Sequence, residues 1–393
     1  MLLAELILIV LALPATAVSL YLLILTLLSR AERAGPPESS RQVHFDIIVP
    51  AHNEALLIQA TVKNLQKLDW PEDHYRIIVV ADNCTDTTAT LAREAGAQVL
   101  ERHDENKRGK GYALDYAFQY SLTNQWADAV VVVDADTQVS PNMLEAFASR
   151  IENGAHAIQG LYGVLNPNDS WRTRLMTIAY AALHQLRWRA REHMKLSCGI
   201  RGNGWCVTHS LLNQVPYKAF SLTEDLEYSI DLALANHRVV YADEVQIRGL
   251  LVSSETAATS QRQRWEGGRW SLIRSRLLPL LRASMRPNGK VCLDLALEIL
   301  VPPLSYVFIN IVFFMVAAGI AKVFVPSMWP WLLLSALSAM SLIMYVMRGW
   351  QLSGVGMRGL LDLARVPSFV LWKLLVMLRK RGPEWVRTTR EKS

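Results

Sequence analysis

The stretch Ala129-Val130-Val131-Val132-Val133-Asp134-Ala135-Asp136 reads as a fully buried strand that runs directly into two acids one residue apart. Two runs of the same kind lie upstream. They are Phe45-Asp46-Ile47-Ile48-Val49-Pro50 and Arg76-Ile77-Ile78-Val79-Val80, the second followed by a loop from Asp82 to Asp86. Helices are expected through Leu56 to Leu68 and around Thr87 to Ala95. Strands that alternate with helices, each strand a continuous apolar run, imply an α/β fold whose mostly parallel sheet is covered by helices on both faces. Ligands of such sheets sit beyond the strand carboxyl ends, where Asp82 and Asp134 fall.

Working outward, 393 residues leave room for a soluble domain of about 250 residues plus membrane segments. Residues 6 to 29 form an apolar run long enough to span a bilayer, with Pro14 as its expected kink. A signal peptide is the alternative, favoured by Ala15-Thr16-Ala17. No Lys or Arg precedes the run and it exceeds a signal core, so residues 1–29 are read as an N-terminal anchor. Arg30, Arg33 and Arg41 follow, which places the central region in the cytosol and the N-terminus outside. After a linker over 30–43, the soluble domain is expected over 44–290. Ile299 to Val325 and Met328 to Met347 then form a membrane hairpin, residues 297–347 in all. The stretch from Gly359 to Leu378 carries Asp362, Arg365, Pro367 and Lys373, so 350–393 reads as an interfacial helix and a basic cytosolic tail. The expectation is transmembrane helices at both ends and an inner, plasma-membrane location. The net charge of +6 gathers near the apolar ends, at Arg30, Arg33, Arg348, Arg379, Lys380 and Arg381, which fits membrane lipid better than nucleic acid. Cys84, Cys198, Cys206 and Cys292 show no CxxC spacing and read as reduced thiols.

Three further signatures stand in order along the chain. Arg108-Gly109-Lys110-Gly111 opens a helix and can meet phosphate through backbone amides and Lys110. Thr223-Glu224-Asp225 has the form of a helix start, with Thr223 as its cap. Gln261-Arg262-Gln263-Arg264-Trp265 joins a planar cation to an aromatic face; an amphipathic helix with Trp265 and Trp270 as membrane anchors is the plain alternative. Asp134 and Asp136 together can bind one divalent cation, Mg²⁺ or Mn²⁺, and Asp86 is expected to cap a helix. His44, His52, His103 and His184 have no metal-ligand spacing and receive no role.

Taken in this order, over residues 44 to 275, the motifs resemble the family 2 inverting glycosyltransferases of the GT-A fold, the group of cellulose, chitin and hyaluronan synthases. The resemblance implies a GT-A-like sheet and a nucleotide-sugar donor. In that family the acid at Asp82 contacts the base, and Pro50, Ala51 and Glu54 fall in the first nucleotide loop. Ala81 stands where the family often has Asp. Asp134 and Asp136 become the metal pair, Asp225 the general base beside Glu224, and Gln261, Arg264 and Trp265 the QxxRW group that meets diphosphate and acceptor. Arg201-Gly202-Asn203-Gly204-Trp205 resembles the acceptor-side loop, and 385–390 lies where some synthases place a gating segment; a mobile basic tail is the equal alternative.

The reading that follows is a membrane enzyme that transfers a sugar from a UDP-sugar to a saccharide or lipid-linked acceptor in envelope or exopolysaccharide assembly. Three expected spans favour short or single-sugar addition over a single-subunit polymer channel. The alternatives are an oligomeric processive synthase and a non-catalytic membrane protein that keeps the fold.

Overall fold

The computed structural model describes residues 2–31, 38–251, 255–287, 289–368 and 370, without the side chains of 2, 3, 255–267 and 269. Eight strands form one sheet: β1 (Phe45–Ala51), β2 (Tyr75–Asp82), β3 (Gln98–Arg102), β4 (Ala129–Val132), β5 (Thr137–Val139), β6 (Ala157–Val164), β7 (Trp205–Thr208) and β8 (Val240–Gly249). Their order is β3-β2-β1-β4-β7-β6-β8-β5. Pairings β1/β2, β1/β4, β2/β3 and β6/β8 are parallel, and β4/β7, β6/β7 and β5/β8 antiparallel.

The apolar runs are explained by two cores. Side chains alternate across a strand, so Phe45, Ile47, Val49, Val79 and Val131 enter one core while Ile48, Ile78, Val80, Val130 and Val132 enter the other. A strand covered on both faces has no position left for a polar side chain unless it is paired. Asp46 is the exception in β1. It is fully buried and takes a fork of hydrogen bonds from Arg76 Nε and Nη2 at 2.8 and 2.9 Å, plus Ser121 Oγ at 2.5 Å.

The helices are α1 (Leu2–Leu27), α2 (Ile58–Leu65), α3 (Thr88–Glu94), α4 (Lys110–Asn124), α5 (Met143–Glu152), α6 (Trp171–Tyr180), α7 (Arg187–His193), α8 (His209–Gln214), α9 (Glu224–Leu234), α10 (Glu255–Ser284), α11 (Lys290–Leu300), α12 (Leu304–Phe324), α13 (Trp329–Ser353) and α14 (Gly356–Asp362). Several bounds differ from the sequence reading. The helix expected over Leu56 to Leu68 is the shorter α2, and β2 reaches Asp82, which therefore ends the strand instead of following it. The apolar run beginning at Ile299 is divided. Pro302 forces Val301 out of helical geometry (ψ 111°), so α11 stops and α12 starts after Pro303. Gly359 to Leu378 is described only in part. Asp362 there is buried and ion-paired with Arg174 Nε at 2.6 Å, which pins α14 to α6.

Among the described residues, three helices are long and apolar enough to cross a membrane: Ala4–Leu27, Leu304–Phe324 and Pro326–Ser353. Their inner faces pack together and onto a π-helical turn, Ala181–Leu186, between α6 and α7. A π turn breaks the regular hydrogen-bond ladder. Here Tyr345 of α13 donates to Ala182 O at 3.0 Å and accepts from Arg187 Nε at 2.7 Å. Gly349 permits this approach, since a Cβ there would lie 2.8 Å from Ala182 Cβ.

The π turn turns His184 into the second core. Its ring stacks on Tyr162 (5.4 Å, 9°) and Trp188 (4.7 Å, 22°), and Nδ1 lies 2.9 Å from Tyr162 O. Burial disfavours the imidazolium and lowers its pKa to about 3. The folded pKa is below the unfolded one, so its stabilisation is whole above pH 6.5 and is lost as pH falls towards 3. Thermal unfolding in detergent should therefore show up to about 2 kcal/mol of loss from this group between pH 7 and 5. The variant His184→Phe should flatten that part of the pH profile; an unchanged slope would show that His184 does not cause it.

Candidate active site

Parallel register delivers the site. Ala51 pairs with Ala81, and Ile48 with Val132, so β1, β2 and β4 end along one edge. A cleft of about 570 Å³ opens there. Pro50, Ala51, Glu54, Asp82, Lys110, Asp134 and Asp136 line it, with His52, Asn53, Cys84, His103 and Arg108. Glu224 and Asp225 are not in its lining; they begin α9 beside it.

The two loops of the cleft wall are locked to each other. Asn53 Oδ1 accepts Thr85 N at 2.7 Å, Thr88 Oγ1 accepts Glu54 N at 2.8 Å, and Asp86 Oδ1 accepts Thr88 N at 3.0 Å at the start of α3. Asp82 is 6 % exposed. Its Oδ1 takes Arg102 Nη1 at 2.6 Å and Asn83 Nδ2 at 3.2 Å, which fixes the carboxylate where it meets the cleft.

Lys110 is the electrostatic centre. Its ammonium donates to Asp134 Oδ1 and to Gly202 O, and an added Cβ at Gly202 would sit 3.9 Å from that ammonium and 3.5 Å from Asp225 Oδ2. Asp134 pairs directly with this cation, and Asp225 acts on it through space. Burial opposes the charge on Lys110, but Asp134, Glu224 and Asp225 outweigh it and hold its pKa above the ordinary lysine value.

Asn203 supports the Asp134 turn. It is 1 % exposed, accepts Asp134 N at 3.1 Å and donates to Thr137 Oγ1 at 2.7 Å. Buried Gln159 holds the same loop, donating to Asn203 O at 2.8 Å and accepting Arg201 N at 2.9 Å. Thr223 occupies the N-cap of α9 but its hydroxyl makes no cap hydrogen bond, contrary to the capping expectation; among the described residues the buried oxygen has no hydrogen-bond partner. Gln261, Arg264 and Trp265 fall on α10, with side chains outside the described residues, as is all of 385–390.

Comparison with known sequences decides the family. Residues 42–268, more than half of the chain, match the family described as "Glycosyltransferase like family 2". The protein is a family 2 glycosyltransferase. Among relatives of this glycosyltransferase, the probable glycosyltransferase YdaM of Bacillus subtilis is 26% identical over 47% of this chain and 45% of its own length. The beta-monoglucosyldiacylglycerol synthase of Nostoc sp. is 29% identical over 56% of this chain and 48% of its own. The chain spans about half the length of these relatives. In structure it is similar to a mannosyltransferase from Pyrobaculum calidifontis solved with GDP-Man and Mn²⁺, at TM-score 0.57 and 17% identity, covering 86% of this chain and 98% of that one. The likeness extends to the GT-A sheet.

Several supports of the glycosyltransferase cleft were not anticipated from sequence. Arg102 sits opposite Asp82 in the β2/β3 register, but β3 is short and partly exposed and carries no apolar-run signal. Asn203 and Gln159 reach the site across the sheet, at separations no local pattern encodes.

Gly204 (φ +67°) has a structural requirement of its own: a Cβ would overlap Ile247, with Cγ2 at 2.7 Å and Cδ1 at 2.8 Å. Gly204→Ala should cost about 2 kcal/mol or more of stability from strain and overlap together. Gly154→Ala, at φ +88° with open space around it, reports the backbone part alone. Equal melting shifts for the two variants would refute the overlap.

Proposed function

We propose that this glycosyltransferase works at a membrane, moving a sugar from a UDP-sugar to a saccharide or lipid-linked acceptor with inversion, in envelope or exopolysaccharide assembly. The observation that carries the reading is the meeting of Asp82, Lys110, Asp134 and Asp136 in one cleft, with Asp225 across Lys110 and Gly202.

The donor set suits a hard divalent cation. Asp134 and Asp136 present carboxylate oxygens, and among the described residues no group of three His, Cys, Asp or Glu assembles. Two carboxylates with the remaining positions left to phosphate and water is the usual arrangement for Mg²⁺, and Mn²⁺ shares the oxygen preference. When bound, such a cation neutralises the charge of the diphosphate leaving group. In this reading Asp82, steadied by Arg102, meets the base, and Pro50, Ala51 and Glu54 border the nucleotide. Lys110 meets phosphate or sugar. Asp225 accepts the proton of the acceptor hydroxyl as that oxygen attacks the anomeric carbon, and the diphosphate leaves from the opposite face. Gln261, Arg264 and Trp265 are assigned to diphosphate and acceptor.

The candidate spans α1, α12 and α13 support an acceptor drawn from the bilayer. The Nostoc relative, whose name states a diacylglycerol product, supports a lipid acceptor in the same way.

Release of nucleoside diphosphate by the detergent-solubilised enzyme, measured over UDP- and GDP-sugars with and without Mn²⁺, tests the donor. Metal-dependent release from one UDP-sugar is expected; release from a GDP-sugar alone would overturn the UDP assignment. Asp225→Asn should retain donor binding and lose about 10²-fold or more in transfer, the scale of general-base catalysis. Substantial residual turnover would remove Asp225 from that role. Asp134→Ala should abolish the Mn²⁺ dependence of donor binding, and a preserved dependence would place the metal elsewhere.

A further inference from the structure

A second charged cluster lies behind the cleft, outside the residues assigned above. Arg191 of α7 is fully buried; its Nε bonds Asp294 Oδ2 at 2.8 Å and its Nη1 lies 3.1 Å from Glu298 Oε1. Asp294 and Glu298 are four residues apart on the inward face of α11. Tyr21 of α1 joins them, accepting Arg191 Nη2 at 2.6 Å and donating to Asp294 Oδ1 at 3.0 Å. Glu298 Oε1 also takes Arg201 Nη2 at 2.5 Å.

Arg201 is thereby turned away from the cleft. Its side chain is 13% exposed, and its other hydrogen bond from the guanidinium goes to Ile200 O. Its neighbours face the opposite way. Ile200 N donates to Ser229 Oγ at 2.6 Å, and Ser229 Oγ donates to Asp225 O at 2.8 Å. Gly202 O accepts Lys110, and Asn203 accepts Asp134 N. The loop from Ile200 to Asn203 is therefore anchored at Glu298 through Arg201, while it meets the Asp134 backbone directly and the Asp225 backbone through Ser229.

We propose that Arg201 and Glu298 are a positioning pair, which sets the acceptor-side loop against Asp225 and Asp134 and ties that setting to the seat of α1 and α11. The idea rests on the assignment of Asp225 as the base. The pair reaches Asp225 and Asp134 only through the loop, so its loss should lower kcat by more than it raises donor KM. Burial disfavours charge on Glu298, yet Arg191, Arg201 and Arg187 hold its pKa down to about 2, in keeping with a carboxylate shared between arginines.

Glu298→Gln alone leaves Arg201 without its carboxylate in a buried place and can destabilise the whole fold. The double variant Arg201→Met/Glu298→Gln removes one charge of each sign and keeps Arg191 paired with Asp294. Hydrogen exchange and steady-state transfer should be measured on this full-length double variant in detergent. Expected are wild-type melting, faster amide exchange confined to 199–204, and kcat lower by about 10- to 100-fold, the scale of a misplaced reacting group, with a smaller change in donor KM. Exchange at 199–204 equal to wild type would overturn the proposal, as would exchange raised uniformly over the chain. Unchanged kcat beside faster local exchange would overturn it too. The exchange readout does not depend on turnover, so a failure of the function proposed above would appear separately, as a wild-type enzyme without transfer.

Discussion

Parallel pairing of β1 with β2 and with β4 obliges three strand ends to finish along the same edge of the sheet. Parallel strands all run one way, and each return path is carried by a helix on a face, so the edge stays open for ligand. Asp46 shows how firmly the register is held. A slip of one residue would exchange the two cores and move that carboxylate from the Arg76 fork into apolar surroundings. Every feature of the cleft inherits its position from this pairing, including the lock between the loops after β1 and β2.

On that frame the site is organised by charge. Asp134 and Asp225 arrive from different elements, β4 and α9, and two carboxylates directed at one space repel each other. Lys110, at the first position of α4, is ion-paired with Asp134 and feels the charge of Asp225, which offsets that repulsion. Asn203 and Gln159 hold the neighbouring backbone by neutral hydrogen bonds, which keep their geometry whatever charge enters the cleft.

A family 2 glycosyltransferase of this form also has to join a water-filled cleft to helices apolar enough for a bilayer. The join is made of polar contacts at its centre: Tyr345 to the π turn, Arg174 to Asp362, and the cluster of Tyr21, Arg191, Asp294 and Glu298. Apolar packing between helices is tolerant of sliding, whereas buried ion pairs lose much of their value when displaced. The helices are consequently indexed to the sheet at defined points.

Much of the fold was legible from the chain alone. Continuous runs such as Ile77 to Val80 and Ala129 to Val133 demanded strands covered on both faces, because nothing in them can face water. The long apolar helices were legible for the same reason, and the motif order pointed to the family before any coordinates. Pro50, Ala51, Glu54, Asp82, Lys110, Asp134 and Asp136, which the resemblance named, line the cleft, whereas Glu224 and Asp225 stand beside it and His52 and His103, given no role, line it as well. What the chain could not display were partners distant in sequence: Arg102 for Asp82, Asn203 for Asp134, Glu298 for Arg201. Nor did it show the π turn, or Thr223 left uncapping at α9. Local pattern reports how each segment meets solvent, and that is a property of the segment. Which buried charge meets which is settled only when the sheet order and the helix packing bring them within hydrogen-bond reach.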